Sequence, residues 1–349
     1  MGKNSITQYF QLDLGLVDFF NSHPAPSWLY CGCIALMRTP SRGKIWGALW
    51  VVYIVWGSTY LAIEYSIRSM PPLLAMGSRF LAAGLLMGFV LAIKYGLGFL
   101  KITRRQIPFL ALLGALLLGL GLGMVTLAQF NDVPTGIVAL LISALPFWIA
   151  IFKAIDGAQT SIWSWVGIAI GFVGVGILLM PELSKPNNGS HIFWMLMVIL
   201  GNLGWAFGTY IAPRLDLPKS TLVVTTYQML FAGIAMSSAG FIAGEDLSDL
   251  FDATLSSWLG WIFLVLIGSI ATYTAYLWLI GNAPVGLIAT YAYVNPVVAV
   301  SLGVLFLNEK VSITLLLGAI VVIFGVFLVV RVEARTVETA KPNMEVVQK

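Results

Sequence analysis

Ten stretches of this chain stay predominantly apolar for close to twenty residues each. That feature limits the fold more than any other. They lie near 45–63, 73–93, 107–128, 133–152, 163–180, 191–212, 221–243, 258–280, 285–306 and 312–330. The hydrocarbon core of a bilayer is about 30 Å thick and takes roughly 20 apolar residues per helix. Periodicity within each run is weak, as for helices that are apolar all round. A membrane β-barrel would alternate polar and apolar residues over about ten positions, and this chain does not. With 59% hydrophobic and 10% charged residues among 349, and a mean hydropathy of +0.92, a water-soluble fold could not hide so much apolar surface. The expected fold class is an all-α integral membrane protein of ten transmembrane helices.

The basic residues set an orientation. With the N-terminus inside, fifteen Lys and Arg fall in inner segments and three (Arg68, Lys185, Lys310) in outer ones, Arg79 being intramembrane. The positive-inside rule then places both termini in the cytoplasm of a cell-membrane protein. The expected outer loop "GEDLSDLFDATLSS" carries four acids and no base. The net charge of +4 is therefore a topology signal. No clustered basic face with polar readers points to nucleic acid. Cys31 and Cys33 form a lone C-x-C, too few for a disulfide framework and weak as a metal site. Neither a metal nor a cofactor is expected.

Two stretches reveal internal repetition. "VPTGIVALLISALP" (133–146) returns as "APVGLIATYAYVNP" (283–296). Pro134, Gly136, Ala139 and Pro146 pair with Pro284, Gly286, Ala289 and Pro296, 150 positions on. "RFLAAG" (79–84) answers "QMLFAG" (228–233), and Gly167 and Gly174 answer Gly318 and Gly325, each one residue out of step. Five spans per repeat is an odd number, so the second repeat is inverted. Inverted repeats recur in secondary transporters, with binding at the repeat interface near the midplane. The expected organisation is a cytoplasmic N-terminal extension (1–43), a first repeat (44–180), an outer linker (181–190), a second repeat (191–331) and a cytoplasmic tail (332–349). The extension, with "MRTPSRGK" beginning at Met37, reads as a misassigned start or a loosely ordered segment. Pro134 and Pro284 open helices, where proline is tolerated. Pro146 and Pro296 fall mid-span and are expected to kink spans four and nine, as hinges or openings onto a cavity.

The segments "VWGSTYLAI", "MPPLLAMGSRFLAAGLL" and "VPTGIVALLISALPFWIAI" resemble the first half of EamA-type proteins of the drug/metabolite transporter (DMT) superfamily. "APVGLIATYAYVNPVVAVSLGVLFLNEKVS" with "LLGAIVVIFGVFLVV" resembles the second half. The resemblance covers about 45–330. It implies ten helices in two inverted five-helix repeats, and export or exchange of small organic molecules, amino acids among them. One departure is that Glu309 of "LNEK" has no glutamate counterpart in "AIDGAQTS" of the first half.

Polar residues inside spans are functional candidates. Arg79 lies about 9 Å into span two at 1.5 Å per residue. The favoured reading pairs it with Glu64 across the first hairpin; the other gives it a substrate carboxylate. Trp56 and Tyr60 share a helix face, as do Trp205 and Thr209, and Tyr291 and Asn295. Leu141 and Leu145 occupy the first-repeat counterparts of Tyr291 and Asn295, so the scaffold needs neither polar residue. The candidate substrate contacts are Trp56, Thr59, Tyr60, Arg79, Gln129, Trp205, Thr209, Tyr291 and Asn295. Glycine pairs Gly84/Gly88, Gly119/Gly123 and Gly167/Gly171 read as close helix packing.

Three function classes compete. An intramembrane enzyme needs a positioned, activated group, but the chain has only His23 and His191 and neither H-E-x-x-H nor G-x-S-x-G. A channel would want charged rings or a carbonyl filter. A transporter fits best. No Asp or Glu lies deep in a span: Glu64, Asp132, Asp156 and Glu309 fall at span ends. That argues against proton-coupled exchange of drug cations. The expected cargo is a small neutral or zwitterionic metabolite, such as an amino acid, carried by alternating access. The expected partners are that small molecule and the lipid bilayer, without nucleic acid.

Overall fold

The computed structural model describes residues 42–157, 160–183, 189–283, 285–288 and 290–340. Expectations that fall on the first 41 residues, Cys31 and Cys33 included, and on Lys185, Pro284, Ala289 and the last nine residues lie outside the described residues.

The spans appear where the apolar runs put them. They are α1 (Arg42–Ile67), α2 (Pro72–Tyr95), α3 (Gln106–Phe130), α4 (Thr135–Ile155), α5 (Ile162–Leu183), α6 (Gly189–Ile211), α7 (Thr221–Ile242), α8 (Leu255–Phe263, continuing through Leu264–Ala271 and Thr272–Asn282), α9 (Val285–Ile288 and Tyr291–Leu307) and α10 (Ile313–Ala340). Among the described residues nine helices are long and apolar enough to cross a bilayer, and α9 adds a shorter apolar helix behind a single turn. Large apolar side chains such as Phe89, Ile93, Leu305 and Ile320 are exposed on the outside of the bundle, as lipid-facing residues should be. Because α10 runs on to Ala340, the first residues of the expected tail are helical.

The repeat is visible in irregularities as well as in helices. The wide-turn π-helical stretch Gly114–Leu122 of α3 is matched by Leu264–Ala271 of α8, the same place in each repeat. Such stretches are rare and tend to mark functional positions. Counterpart helices pack on each other around a pseudo-twofold axis. A Cβ at Gly325 of α10 would lie 2.6 Å from the carbonyl of Gly167 in α5, and one at Gly233 of α7 would lie 2.8 Å from the carbonyl of Gly77 in α2. Small residues let membrane helices approach backbone to backbone. The Gly119/Gly123 pair does not take part, since added Cβ atoms there would meet nothing closer than 3.6 Å. Its neighbours Gly114 and Gly121 make the tight approaches instead, to the carbonyl of Gln228 and the ring of Trp205.

The two proline-bearing spans break differently from the expected matched kinks. α4 is interrupted at Ser143–Ala144, and Pro146 is the second residue of the helix that resumes at Leu145. α9 is interrupted before Tyr291, and Pro296 sits inside the continuous helix Tyr291–Leu307. Proline deprives the carbonyl four residues earlier of its donor. In α4 that carbonyl is Ile142's, and the buried Asn202 of α6 serves it, donating from Nδ2 to Leu141 O (3.0 Å) and Ile142 O (3.2 Å). In α9 the interruption is served locally: Thr290 donates to Leu287 O (2.5 Å), and its hydroxyl also bonds that of Tyr53 in α1.

Candidate functional site

Five spans (α1, α2, α3, α8 and α9) contribute to the candidate site. Gly57 lets α1 press against α9, because a Cβ at that position would sit 2.6 Å from Val298 Cβ and 3.1 Å from the carbonyl of Asn295. That approach puts Trp56 among the rings of the second repeat. Its ring centroid is 5.0 Å from Tyr276 of α8 and 5.2 Å from Tyr291 of α9, with Tyr276 and Tyr291 5.9 Å apart and nearly perpendicular. Tyr273 extends the group at 6.2 Å from Tyr276. Beneath these rings Leu49, Val52, Tyr53, Leu279 and Ile288 form a small apolar cluster of their own. Asn295 lies one turn along α9 from Tyr291, and its Oδ1 is buried with no hydrogen-bond partner.

The cation belongs to a second group of side chains. Arg79 is 4% exposed on the second turn of α2. Its Nε donates to Ser269 Oγ at 3.2 Å, its Nη1 reaches Met76 Sδ at 3.5 Å, and its guanidinium carbon is 4.8 Å from the Phe80 ring centroid. Gly268, within the wide-turn stretch of α8, opens space beside it. A Cβ there would be 3.1 Å from Thr59 Cγ2 and 3.7 Å from Arg79 Nη2. Tyr60, on the next turn of α1, accepts a 3.0 Å bond at its carbonyl from Gln129 Nε2 of α3. Gln129 is 3% exposed, and its Oε1 is also buried without a partner.

The expected Glu64–Arg79 ion pair does not form. Among the described residues no carboxylate comes within ion-pair reach of Arg79; the exposed pair Arg214–Asp156 is found elsewhere. Sequence alone misses this because the first hairpin fixes which residues are near in depth but not how α2 is rotated. Arg79 faces α8, not α1's Glu64. A buried cation with neutral partners is costly, several kcal/mol in effective terms.

The nine expected contacts therefore divide. Trp56, Tyr291 and Asn295 meet with Tyr273 and Tyr276; Thr59, Tyr60, Arg79 and Gln129 meet with Ser269. Trp205 and Thr209 join neither group. Trp205 packs its ring against Gly121 of α3, and Thr209 is exposed with its hydroxyl on Trp205 O (2.9 Å). Ser269 escapes a reading of the sequence. Its only signal is a Gly-Ser pair inside an apolar span. Among the described residues no group of His, Cys, Asp and Glu could hold a metal ion.

At the C-terminal end of α4, Asp156 pairs with Arg214, just beyond the end of α6. The Tyr210 hydroxyl and the Arg214 guanidinium beside it hold this carboxyl below the usual carboxylate range.

Two inverted five-helix bundles enclosing a polar site have counterparts among known proteins. The profile of the EamA-like transporter family matches residues 45–180 and again 192–331, once per repeat. The chain belongs to the EamA-like transporter family. It is 39% identical to a protein named uncharacterized inner membrane transporter YedA from Escherichia coli (strain K12), over 84% of this chain and 92% of that one. It is 27% identical to protein PecM of Dickeya dadantii (strain 3937), over 79% and 89%. It is 23% identical to a protein of Escherichia coli (strain K12) named probable amino-acid metabolite efflux pump, over 80% and 92%. A crystal structure at 20% identity overlays with a TM-score of 0.55, covering 84% of this chain and all of the other, which shows the same fold. The chain is thus a multi-pass membrane transporter of the DMT type.

Proposed function

We propose that this transporter carries a small organic metabolite with a carboxylate, neutral overall or zwitterionic, such as an amino acid or a close relative. It works by alternating access across an inner membrane, with both termini in the cytoplasm. The observation that carries the reading is Arg79, buried inside the bundle on neutral partners only. A carboxylate bound there would supply the missing charge in a bidentate geometry suited to guanidinium. Trp56, Tyr276 and Tyr291 would take the apolar part of the cargo. The unpartnered acceptors Asn295 Oδ1 and Gln129 Oε1 would receive N–H donors, since a buried acceptor left unpaired costs about 1–3 kcal/mol. The relative named as an amino-acid metabolite efflux pump supports the same class, and the basic bias of one set of loops supports the orientation.

Extracellular metabolite profiling with and without overexpression tests this, followed by counterflow of the exported compound in proteoliposomes. A carboxylate-bearing compound is expected. Movement of lipophilic cations alone, against an imposed proton gradient, would overturn the reading.

A further inference from the structure

Five helices of the bundle end in the same way and differ in the residue just past the stop. α2, α4, α7 and α9 are each closed by a residue in the left-handed region: Gly96 (φ +81), Gly157 (φ +84), Gly244 (φ +88) and Asn308 (φ +56); α3 is closed likewise by Asp132 (φ +62), with Val133 after it. This is the usual way to stop a helix. In the other four the next residues are Leu97, Ala158, Glu245 and Glu309. A carboxylate therefore comes after the stop at the ends of α7 and α9, and an apolar residue at the ends of α2 and α4.

Both glutamates fold back over their own helix ends. The backbone N–H of Glu245 donates to Gly240 O (2.9 Å) and that of Glu309 to Gly303 O (3.1 Å). Both carboxylates then cross to the first repeat. Glu245 accepts from the backbone N–H groups of Leu73 (3.0 Å) and Leu74 (2.7 Å) at the start of α2. Glu309 accepts from the N–H (2.7 Å) and hydroxyl of Thr135 and from the N–H of Gly136 (3.3 Å) at the start of α4. These are charge-assisted caps on free helix donors, favoured by the positive end of each helix. Each carboxylate rests over a glycine. A Cβ at Gly303 would fall 2.5 Å from Glu309 Oε2, and one at Gly240 would fall 2.8 Å from Glu245 Oε2.

A cap within one helix survives any rearrangement. These two join opposite repeats, so they persist only while that face of the bundle is shut. We propose that Glu245 and Glu309 are a paired latch on the outer face, positioning residues that hold the transporter closed to the outside. At the inner face, among the described residues, the cross-repeat carboxylate is Asp156 on Arg214, an exposed pair worth little in water, against caps on helix N–H groups at the outer face; the inner face is therefore the one that opens more readily. Asn202 pins the break in α4 by donating to two backbone carbonyls, whereas α1 reaches the break in α9 through the Tyr53 hydroxyl on the Thr290 side chain and, among the described residues, holds no carbonyl of it. α9, with Glu309 at its outer end, is therefore the element that swings. This inference rests on the alternating-access reading and the orientation given above.

The test uses full-length protein with Cys31 and Cys33 replaced by Ser and a reporter at Val300→Cys. Val300 of α9 lies against Gly136 of α4, where an added Cβ would be 2.9 Å from Val300 Cγ2, beneath the Glu309 latch. A second protein carries its reporter at Leu49→Cys, buried toward the inner end of α1. Impermeant maleimide is applied to intact cells for the first reporter and to inside-out vesicles for the second. Glu309→Gln should raise outer labelling at position 300 roughly five- to tenfold, the effect of losing one charged cap, and lower inner labelling at position 49. Gly303→Ala keeps the charge and favours helix, yet displaces the carboxylate, and should do the same. Glu245→Gln should shift both rates in the same directions. Unchanged labelling in both Glu309→Gln and Gly303→Ala would overturn the latch, as would faster labelling at both reporters, the sign of a merely loosened fold. If the parent Val300→Cys reporter reacts from the cytoplasmic side and not from outside, the orientation fails instead.

Discussion

Replacing Asn202 by Leu removes the α6 side chain that serves the broken turn of α4. Asn202 is 1% exposed and donates to two carbonyls, Leu141 O at 3.0 Å and Ile142 O at 3.2 Å. Side-chain hydrogen bonds between membrane helices average about 0.6 kcal/mol and reach about 1.7, so two bonds are worth about 1–3 kcal/mol. Part of that is returned, because Asn202 Oδ1 is buried without a donor and Leu removes it. The expected net loss is about 1–2 kcal/mol. In a protein of this size that lowers the unfolding midpoint by roughly 1–3 °C. The assay is thermal unfolding of detergent-purified parent and variant, followed by intrinsic fluorescence. Asn202→Asp sharpens it: the carboxylate has no N–H and faces two carbonyl oxygens, so it should be worse than Leu. A Leu variant that unfolds at or above the parent temperature, or an Asp variant more stable than Leu, would refute the claim that Asn202 holds the break.

Single contacts carry further expectations. Asn295→Leu restores the residue type of the first repeat and should express normally with altered or reduced transport selectivity, read by counterflow of the exported compound. Gly325→Val places side-chain atoms where a Cβ alone would be 2.6 Å from a carbonyl of α5. It should cost about 1–3 kcal/mol or more and sharply reduce the folded fraction on size-exclusion chromatography. The Asp156 carboxyl is held low by Tyr210 and Arg214, so its contribution is present above the ordinary carboxylate value near 3.9 and is lost only as pH falls below it. Asp156→Asn should therefore lower the midpoint slightly at pH 7, slightly because the pair is exposed, and the variant's own midpoint should lose less than the parent's on acidification toward pH 3.

Hydropathy and the 150-residue echo carry the fold because both are properties of whole segments. Rotation of one helix against another is not such a property, and the features that sequence misplaces depend on it. Arg79 and Glu64 sit at compatible depths in one hairpin, yet Arg79 turns to Ser269, since an all-apolar α2 gives no stripe to show which face looks inward. Trp205 and Thr209 mirror Trp56 and Tyr60 in sequence, but the close approach of α3 at Gly121 takes Trp205 into packing. Sequence expects a kink of α9 at Pro296 but does not announce the interruption before Tyr291, where Thr290 and Tyr53 provide bonds. Glu309 is legible as an asymmetry between the repeats, but its contacts lie at the start of α4, 174 residues away.

The claim that Arg79 binds a substrate carboxylate is tested most directly by counterflow in proteoliposomes, with the exported compound and its carboxamide as competing ligands against parent, Arg79→Gln and Arg79→Lys. In the parent, the acid should compete at least tenfold better than the amide, about 1.4 kcal/mol for one charge-assisted contact. Arg79→Gln should lose that preference while keeping folded yield, and Arg79→Lys should retain part of it. Equal competition by acid and amide in the parent, or an undiminished preference in Arg79→Gln, would contradict it.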